Sequence, residues 1–386
     1  MTAPSPDALR KGRAFAVVMD EFKSEYVDRD VAVDVIALAV LCREHVLLVG
    51  PPGTAKTSLI ERFSKLLQTT YFGYLLTRFT EPAELFGAID VESFQKENVY
   101  RIKTEGMLPK VDIAFLDEIF NGSSAILNTL LTLVHERTFV NGSHREQAQL
   151  ISLFGATNGL VDDPVLQAFS DRFLFRCRLD YVPDESLEEV LDSGWEVEAA
   201  LLDGRAPTAV GPQFRREDLL ELQSAVAKVD LGPVRPELAS ILRSLREDRI
   251  TFSDRRAVKA QKAIAANALL HGRPTAGLED LSVLVHLWTS EYDEKVIRQV
   301  VAAHGVPVDA GVPARHVSEV VADIKELARA VQHVTAMEDL NEAQRRAARL
   351  LREIRTGRLE AGDSLALLRD VQLGVVERLQ QLRRDG

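Results

Sequence analysis

The residues Gly50, Pro51, Pro52, Gly53, Thr54, Ala55, Lys56 and Thr57 join loop formers to a lysine and a hydroxyl, a set suited to holding phosphate. They follow the apolar run Val46 to Val49, which reads as a buried strand, and precede Ser58 to Phe63, which reads as a helix. In that context the backbone N–H groups of the loop and the helix N-terminus turn inward and cradle an anion. Lys56 would reach the β- and γ-phosphates of a nucleotide, and Thr57 would offer its hydroxyl to Mg²⁺. Ala55 stands where glycine usually precedes the lysine; it is expected at a helical position, with its methyl group occupying space near the phosphates. The alternative is an ordinary Gly/Pro turn before a helix.

Three further groups could complete such chemistry. The run Val111 to Leu116 reads as a second buried strand and ends in Asp117-Glu118. Adjacent side chains at a strand end diverge, so Asp117 could hold hydrated Mg²⁺ while Glu118 polarises an attacking water. The same pair could instead serve as a helix-entry pair favoured by the helix dipole. Asn158 follows another buried run, Leu150 to Phe154, and could hydrogen-bond a γ-phosphate or form a turn. Arg172 precedes the apolar run Phe173 to Phe175, read as the last strand, and could be a surface ion-pair partner or a group projected into a neighbour's site. Arg255 and Arg256 follow Ser253-Asp254 at a helix start, where cations are disfavoured unless a phosphate is near, although Ser253 and Asp254 could equally be a capping pair.

The elements that must position these residues read as an α/β unit. Helices are expected over 7–26 and 31–42, ahead of about five parallel strands joined by right-handed crossovers. Between residues 87 and 108, alternation around Phe94, Val99, Tyr100 and Ile102 predicts a β-hairpin interrupting a helix. Asn141-Gly142 predicts a tight hairpin turn. Residues 181–212 read as one irregular helix and a linker. From Asp218 to about Val301 the pattern is helical, including Leu281 to Trp288. Beyond the Gly/Pro boundary at 305–313, amphipathic segments at 316–335, 339–356 and 361–383 predict a three-helix unit, with Arg345, Arg346, Arg349 and Arg352 on a solvated face. The domains expected are a nucleotide-binding core at 1–182, a linker with an extra helix at 183–212, a helical lid at 213–304 and a helical extension at 305–386.

At 386 residues the chain has room for two or three domains. A net charge of −11 argues against a dedicated nucleic-acid binder, which needs a basic excess. The longest apolar stretch, Val31 to Cys42, is interrupted by Asp34 and is too short to span a membrane. The opening residues lack the apolar segment of a secretory signal. Cys42 and Cys177 sit among apolar residues without metal-like spacing and are expected as core thiols, which points to the cytoplasm.

GPPGTAKT at 50–57, AFLDEI at 114–119, GATN at 155–158, SDRF at 170–173 and FSDRR at 252–256, in that order, resemble a MoxR-type AAA+ ATPase. AILNTLL at 125–131, ERTFVNGSH at 136–144, HGR at 271–273 and Trp288 are similar to the branch called regulatory ATPase variant A. The resemblance covers roughly residues 5–300. It implies an AAA+ α/β core with a helical lid, assembled as a hexamer with ATP and Mg²⁺ bound between subunits. It also implies chaperone-like remodelling with a partner carrying a von Willebrand factor type A domain. By resemblance the segment from Gly50 to Ser58 binds nucleotide, Thr57 and Asp117 serve the metal, and Glu118 the water. Asn158 corresponds to the γ-phosphate sensor, Arg172 to the arginine finger and Arg255 to the second sensor, with Arg256 as the other candidate. Residues 87–108 match an insert facing the central pore, and 185–202 an element that repositions the lid. That branch carries a compact, mostly β domain, whereas the residues after Pro313 read as helices. A nucleic-acid motor and an ATP-gated scaffold are the competing classes. The Asn-Lys-x-Asp guanine-reading motif does not occur.

Overall fold

The computed structural model describes residues 3–99, 101–142, 144–160, 163–204, 214–308, 324–325, 327–329 and 331. The chain divides into two compact units, residues 1–308 and 309–386. In the second, the described residues are helical, and Arg345, Arg346, Arg349 and Arg352 lie outside the described set.

The first unit is built on one sheet of five parallel strands: β1 (Val46–Val49), β2 (Tyr71–Leu75), β3 (Ile113–Asp117), β6 (Ser152–Thr157) and β7 (Phe175–Arg178), in the order β2-β3-β6-β1-β7. Strand β1 is buried throughout, as expected for a parallel strand covered on both faces. Its register sets Val46 against Phe154 and Phe175, and Val49 against Thr157 and Arg178. A separate antiparallel hairpin, β4 (Thr138–Asn141) and β5 (His144–Gln147), forms where the sequence predicts one, but Asn141 pairs with His144 as the last residue of β4, so the chain turns one residue later than at Asn141-Gly142.

Helix α1 (Pro6–Lys23) is capped by Ser5 and sends Phe15 and Phe22 into the core. Helix α2 (Asp30–Cys42) is apolar around nearly its whole circumference and ten of its residues are buried, which places it inside the molecule. Its one interior charge, Asp34, pairs with Lys23 of α1. Helix α3 (Lys56–Leu66) follows the loop at 50–55; α6 (Ser124–Glu136) and α7 (Pro164–Ser170) connect later strands. The helical region comprises α8 (Leu187–Leu202), α9 (Arg216–Val226), α10 (Arg235–Glu247), α11 (Asp254–Leu270) and α12 (Glu291–Ala303).

Several elements depart from their sequence reading. Residues 87–108 contain helices rather than a regular hairpin: α4 (Pro82–Phe86) ends just before this segment and α5 (Val91–Glu97) lies within it. The Glu92–Lys96 pair, one turn apart, supports α5, and a single antiparallel bridge, Ile89 to Ile102, closes its base. The apolar residues Phe173 and Leu174 are buried in the turn before β7, and the strand itself starts at Phe175. Strand β6 runs on through Gly155, Ala156 and Thr157, so Asn158 immediately follows it. Leu278–His286 is a 3-10 segment, consistent with leucines at 278, 281, 284 and 287, because residues three apart share a face in that helix.

Candidate active site and family

The loop before α3 lies at the C-terminal end of β1, where open parallel sheets bind ligands. Gly53 has φ +79°, a left-handed conformation that glycine adopts freely. At Gly50 a Cβ would come within 1.9 Å of the Leu179 carbonyl oxygen, so only glycine lets the loop approach β7 this closely. Ala55 is not helical: it is the N-cap of α3 with φ +64° and ψ +19°. Glycine is usual before the lysine because the chain turns left-handed there, and the alanine holds that turn under strain.

Lys56 is buried. Its Nζ donates to the carbonyl oxygens of Gly50 at 2.9 Å and Pro51 at 2.7 Å, and to Thr54 Oγ1 at 3.3 Å. Burial draws its pKa below the ordinary lysine range; the charges of Asp117 and Glu118 oppose that shift, and Arg29 adds to it. A buried ammonium bonded to neutral oxygens at a helix start fits a phosphate ligand. Thr57 and Ser58 are exposed on the first turn of α3 beside it. The Ser58 hydroxyl meets Tyr26 Oη at 2.8 Å.

Strand order explains how the carboxylates and Asn158 come together. Strand β6 lies between β1 and β3, so Asn158 emerges between the loop and Asp117-Glu118. Asp117 ends β3 and accepts from the Glu118 backbone N–H at 2.9 Å. Glu118 has φ +50°, and its Oε1 accepts from Asn158 Nδ2 at 2.6 Å. The Asp117 carboxylate and the Thr57 hydroxyl are hard oxygen donors of the kind Mg²⁺ takes alongside phosphate.

Arg172 is elsewhere. It precedes β7, whose first residue pairs with the first residue of β1, so it lies at the opposite end of the sheet from the loop. Strand β1 alone separates the two ends by about 13 Å at the usual rise per residue. Arg172 Nη1 donates to the Ala168 carbonyl at 3.3 Å, while its buried Nε has no acceptor among the described residues. Burial and then the like charge of Arg255 pull its pKa below the ordinary arginine range, against Asp171. His135, on the last turn of α6, is lowered by desolvation and then by Arg172 and Arg255. Arg255 therefore stands with Arg172, away from Lys56.

Arg256 has a different environment. It is 3% exposed and donates to the carbonyls of Leu174 at 2.8 Å, Leu287 at 3.1 Å and Phe173 at 3.3 Å, and to Asp171 Oδ1 at 3.1 Å. Ser253 caps α11 by accepting from Arg256 N, so the capping reading of Ser253 holds.

Residues 13–223 match a family model described as the MoxR domain of MoxR-vWA-beta-propeller ternary systems, more than half of the chain. The chain belongs to the MoxR family of AAA+ ATPases. Residues 233–301 match an AAA lid domain. An uncharacterised protein of Methanocaldococcus jannaschii is 36% identical over 72% of this chain and 72% of its own length. Chaperone MoxR1 of Mycobacterium tuberculosis is 26% identical over 44% of this MoxR chain and 45% of its own. The crystal structure of a presumed ATPase from Cytophaga hutchinsonii shares the fold, with TM-score 0.60 and 19% identity over 77% of this chain and 96% of that one. The placement in the regulatory ATPase variant A branch rests on the motifs alone. Among the described residues no helix is long and apolar enough to cross a membrane.

Three buried charged groups of the MoxR core were not singled out from the sequence. Arg29 is buried at the start of α2 and donates to the carbonyls of Thr54 at 3.3 Å and Asp180 at 3.0 Å, tying the loop to the end of β7. Arg176 is buried in β7 and binds Ser170 and the Trp288 carbonyl. Glu44 is 2% exposed and bonds Lys259 at 2.7 Å and Lys262 at 2.6 Å, joining the core to α11. A signal was available for Glu44: it and His45 directly abut a buried strand, leaving no loop to carry them to solvent.

Proposed function

We propose that this MoxR protein hydrolyses ATP as a head-to-tail ring, a hexamer by family resemblance, and uses the cycle to remodel or assemble proteins with a partner bearing a von Willebrand factor type A domain. The observation that carries this reading is the split site: Lys56, Asp117, Glu118 and Asn158 gather at one end of the sheet, while Arg172 and Arg255 stand together at the other. Repeating the chain head to tail brings one copy's arginines to the next copy's loop, and such a contact forms a ring when its rotation closes.

In this reading the segment from Gly50 to Ser58 cradles the phosphates, and Lys56 exchanges loop carbonyls for phosphate oxygens. Thr57 and Asp117 hold Mg²⁺, which supplies charge neutralisation when bound. Glu118 orients and polarises the attacking water, and Asn158 positions Glu118 and senses the γ-phosphate. Arg172 and Arg255 of the adjacent copy stabilise charge in the transition state, a role worth about 10³ to 10⁵ in rate for an arginine finger. Residues 1–182 form the catalytic core and 183–212 a linker with an extra helix. Residues 213–304 form the lid, and 305–386 a docking or spacing extension. The net charge of −11 disfavours the nucleic-acid motor.

The test mixes two inactive variants. Arg172→Ala has an intact loop and Lys56→Ala an intact arginine, so mixed rings restore partial ATP turnover at the interfaces that pair the two. Mixed rings seen by native mass measurement but turning over at background would overturn the role across the interface.

A further inference from the structure

Helix α8 runs from Leu187 to Leu202, yet none of its described side chains is buried. At 100° per residue Leu187, Leu191, Trp195 and Leu202 fall within about 80° of one another, a single apolar stripe. All four face solvent, Leu191 at 63%, Trp195 at 65% and Leu202 at 78% exposure. The helix has no basic residue; Glu188, Asp192 and Glu196 line one side of the stripe, and Glu198 falls within it. A helix of this length is marginal in water without a packing partner, and an exposed tryptophan in an apolar stripe is the kind of side chain that anchors interfaces.

A complementary surface is present on the same chain and does not cover the stripe, since both are exposed. Helix α8 begins eight residues after Leu179, whose N–H bonds the Val49 carbonyl at the loop end of β7, so the chain enters it from that end of the sheet. The start of α11 is at the opposite end of the sheet, bonded through Arg256 to Phe173 and Leu174. There Arg255 is exposed without a carboxylate partner among the described residues, and Val258, three positions along the same face, is 65% exposed. A basic and apolar face complements an acidic and apolar helix.

We propose that the apolar stripe of α8 packs on the Arg255–Val258 end of α11 in the adjacent copy, so that burying α8 and completing the ATP site are a single contact. This rests on the ring reading above, in which the start of one copy's α11 meets the loop end of the next copy, from which the chain enters α8.

Cys42 and Cys177 are buried, so Leu191→Cys places an accessible thiol on the stripe. This variant, labelled with benzophenone-maleimide and mixed with ¹⁵N-labelled chains in ATP and Mg²⁺, is expected to give heavy–light photocrosslinks from α8 to residues 243–262. Crosslinks confined to one chain, including to residues 309–386, or between chains but to another region, overturn the proposal. In parallel, Leu191→Ser with Trp195→Ser should leave ATP binding by the dilute protein unchanged. It should lower turnover at least tenfold at low protein concentration and recover as concentration rises. Unaltered turnover and ring mass would also overturn it. If the unsubstituted chain complements through Arg172 and Lys56 while α8 fails these tests, only the α8 contact falls. A chain that stays single in ATP overturns both.

Discussion

Ala55 shows how one side chain can keep a motif's geometry without the motif's usual residue. Its left-handed backbone costs roughly 1–2 kcal/mol for a residue with a Cβ, and glycine would return part of that as extra freedom in the unfolded chain. Ala55→Gly is expected to keep ATP binding and raise unfolding stability by about 0.5 kcal/mol, read from denaturant midpoints. A clear loss of stability would show that the turn is not strained. Glu118 is also left-handed, with its carboxylate on Asn158. Glu118→Gln should bind ATP with unchanged affinity and lose about 10² to 10⁴ in turnover, as expected for removing a group that acts only on the attacking water. Equal loss of binding would instead give Glu118 a structural part in the site.

At the scale of elements, two adjacent arginines on α11 divide between anchoring and reach. Arg256→Ala leaves the carbonyls of Phe173, Leu174 and Leu287 and the carboxylate of Asp171 short of a donor, a loss of about 3–5 kcal/mol. Arg255→Ala should change stability by under about 0.5 kcal/mol and fall mainly in turnover. Denaturation and ATPase assays on both variants separate the roles; a large stability loss for Arg255→Ala would make it an anchor too. The sequence offered both arginines as sensor candidates, and the parallel sheet and its helices were legible because buried runs and caps are local signals. What it did not show were the contacts made across distance. Phe173 and Leu174 look like strand but fill the turn before β7, and Arg176 lies buried within β7 with its two Nη groups bonded to Ser170 and the Trp288 carbonyl. The segment 87–108 misled because its alternation fixed only the bridge at Ile89 and Ile102, while α5 formed between them. The pairing of Arg172 with Arg255 depends on how α11 meets β7, which no spacing encodes.

For the whole folded unit, three histidines set a pH limit. His45 is fully buried, with Nδ1 accepting from Leu153 N–H and Nε2 at 3.1 Å from the Val134 carbonyl oxygen; burial holds its pKa well below the usual value. Burial likewise lowers His271 and His286 to about 4 each. The unfolded chain therefore binds more protons below about pH 6.5, so stability is full above that pH and falls as pH drops toward the folded values. His286→Leu should reduce the slope of stability against pH between 6 and 4 by up to about 1.4 kcal/mol per pH unit; an unchanged slope would show that His286 is not held neutral. The sheet order carries one more consequence, for synthesis. Strand β1 pairs only with β6 and β7, which leave the ribosome long after it. At about 5–20 residues per second, Val46 to Val49 wait several seconds as an unpaired apolar segment while the intervening chain is made. Until Phe175 to Arg178 has emerged, β1 and the loop that follows it lack one of their two flanking strands, so the site around Lys56 cannot form early. That interval is when a holdase would find this chain most open to capture.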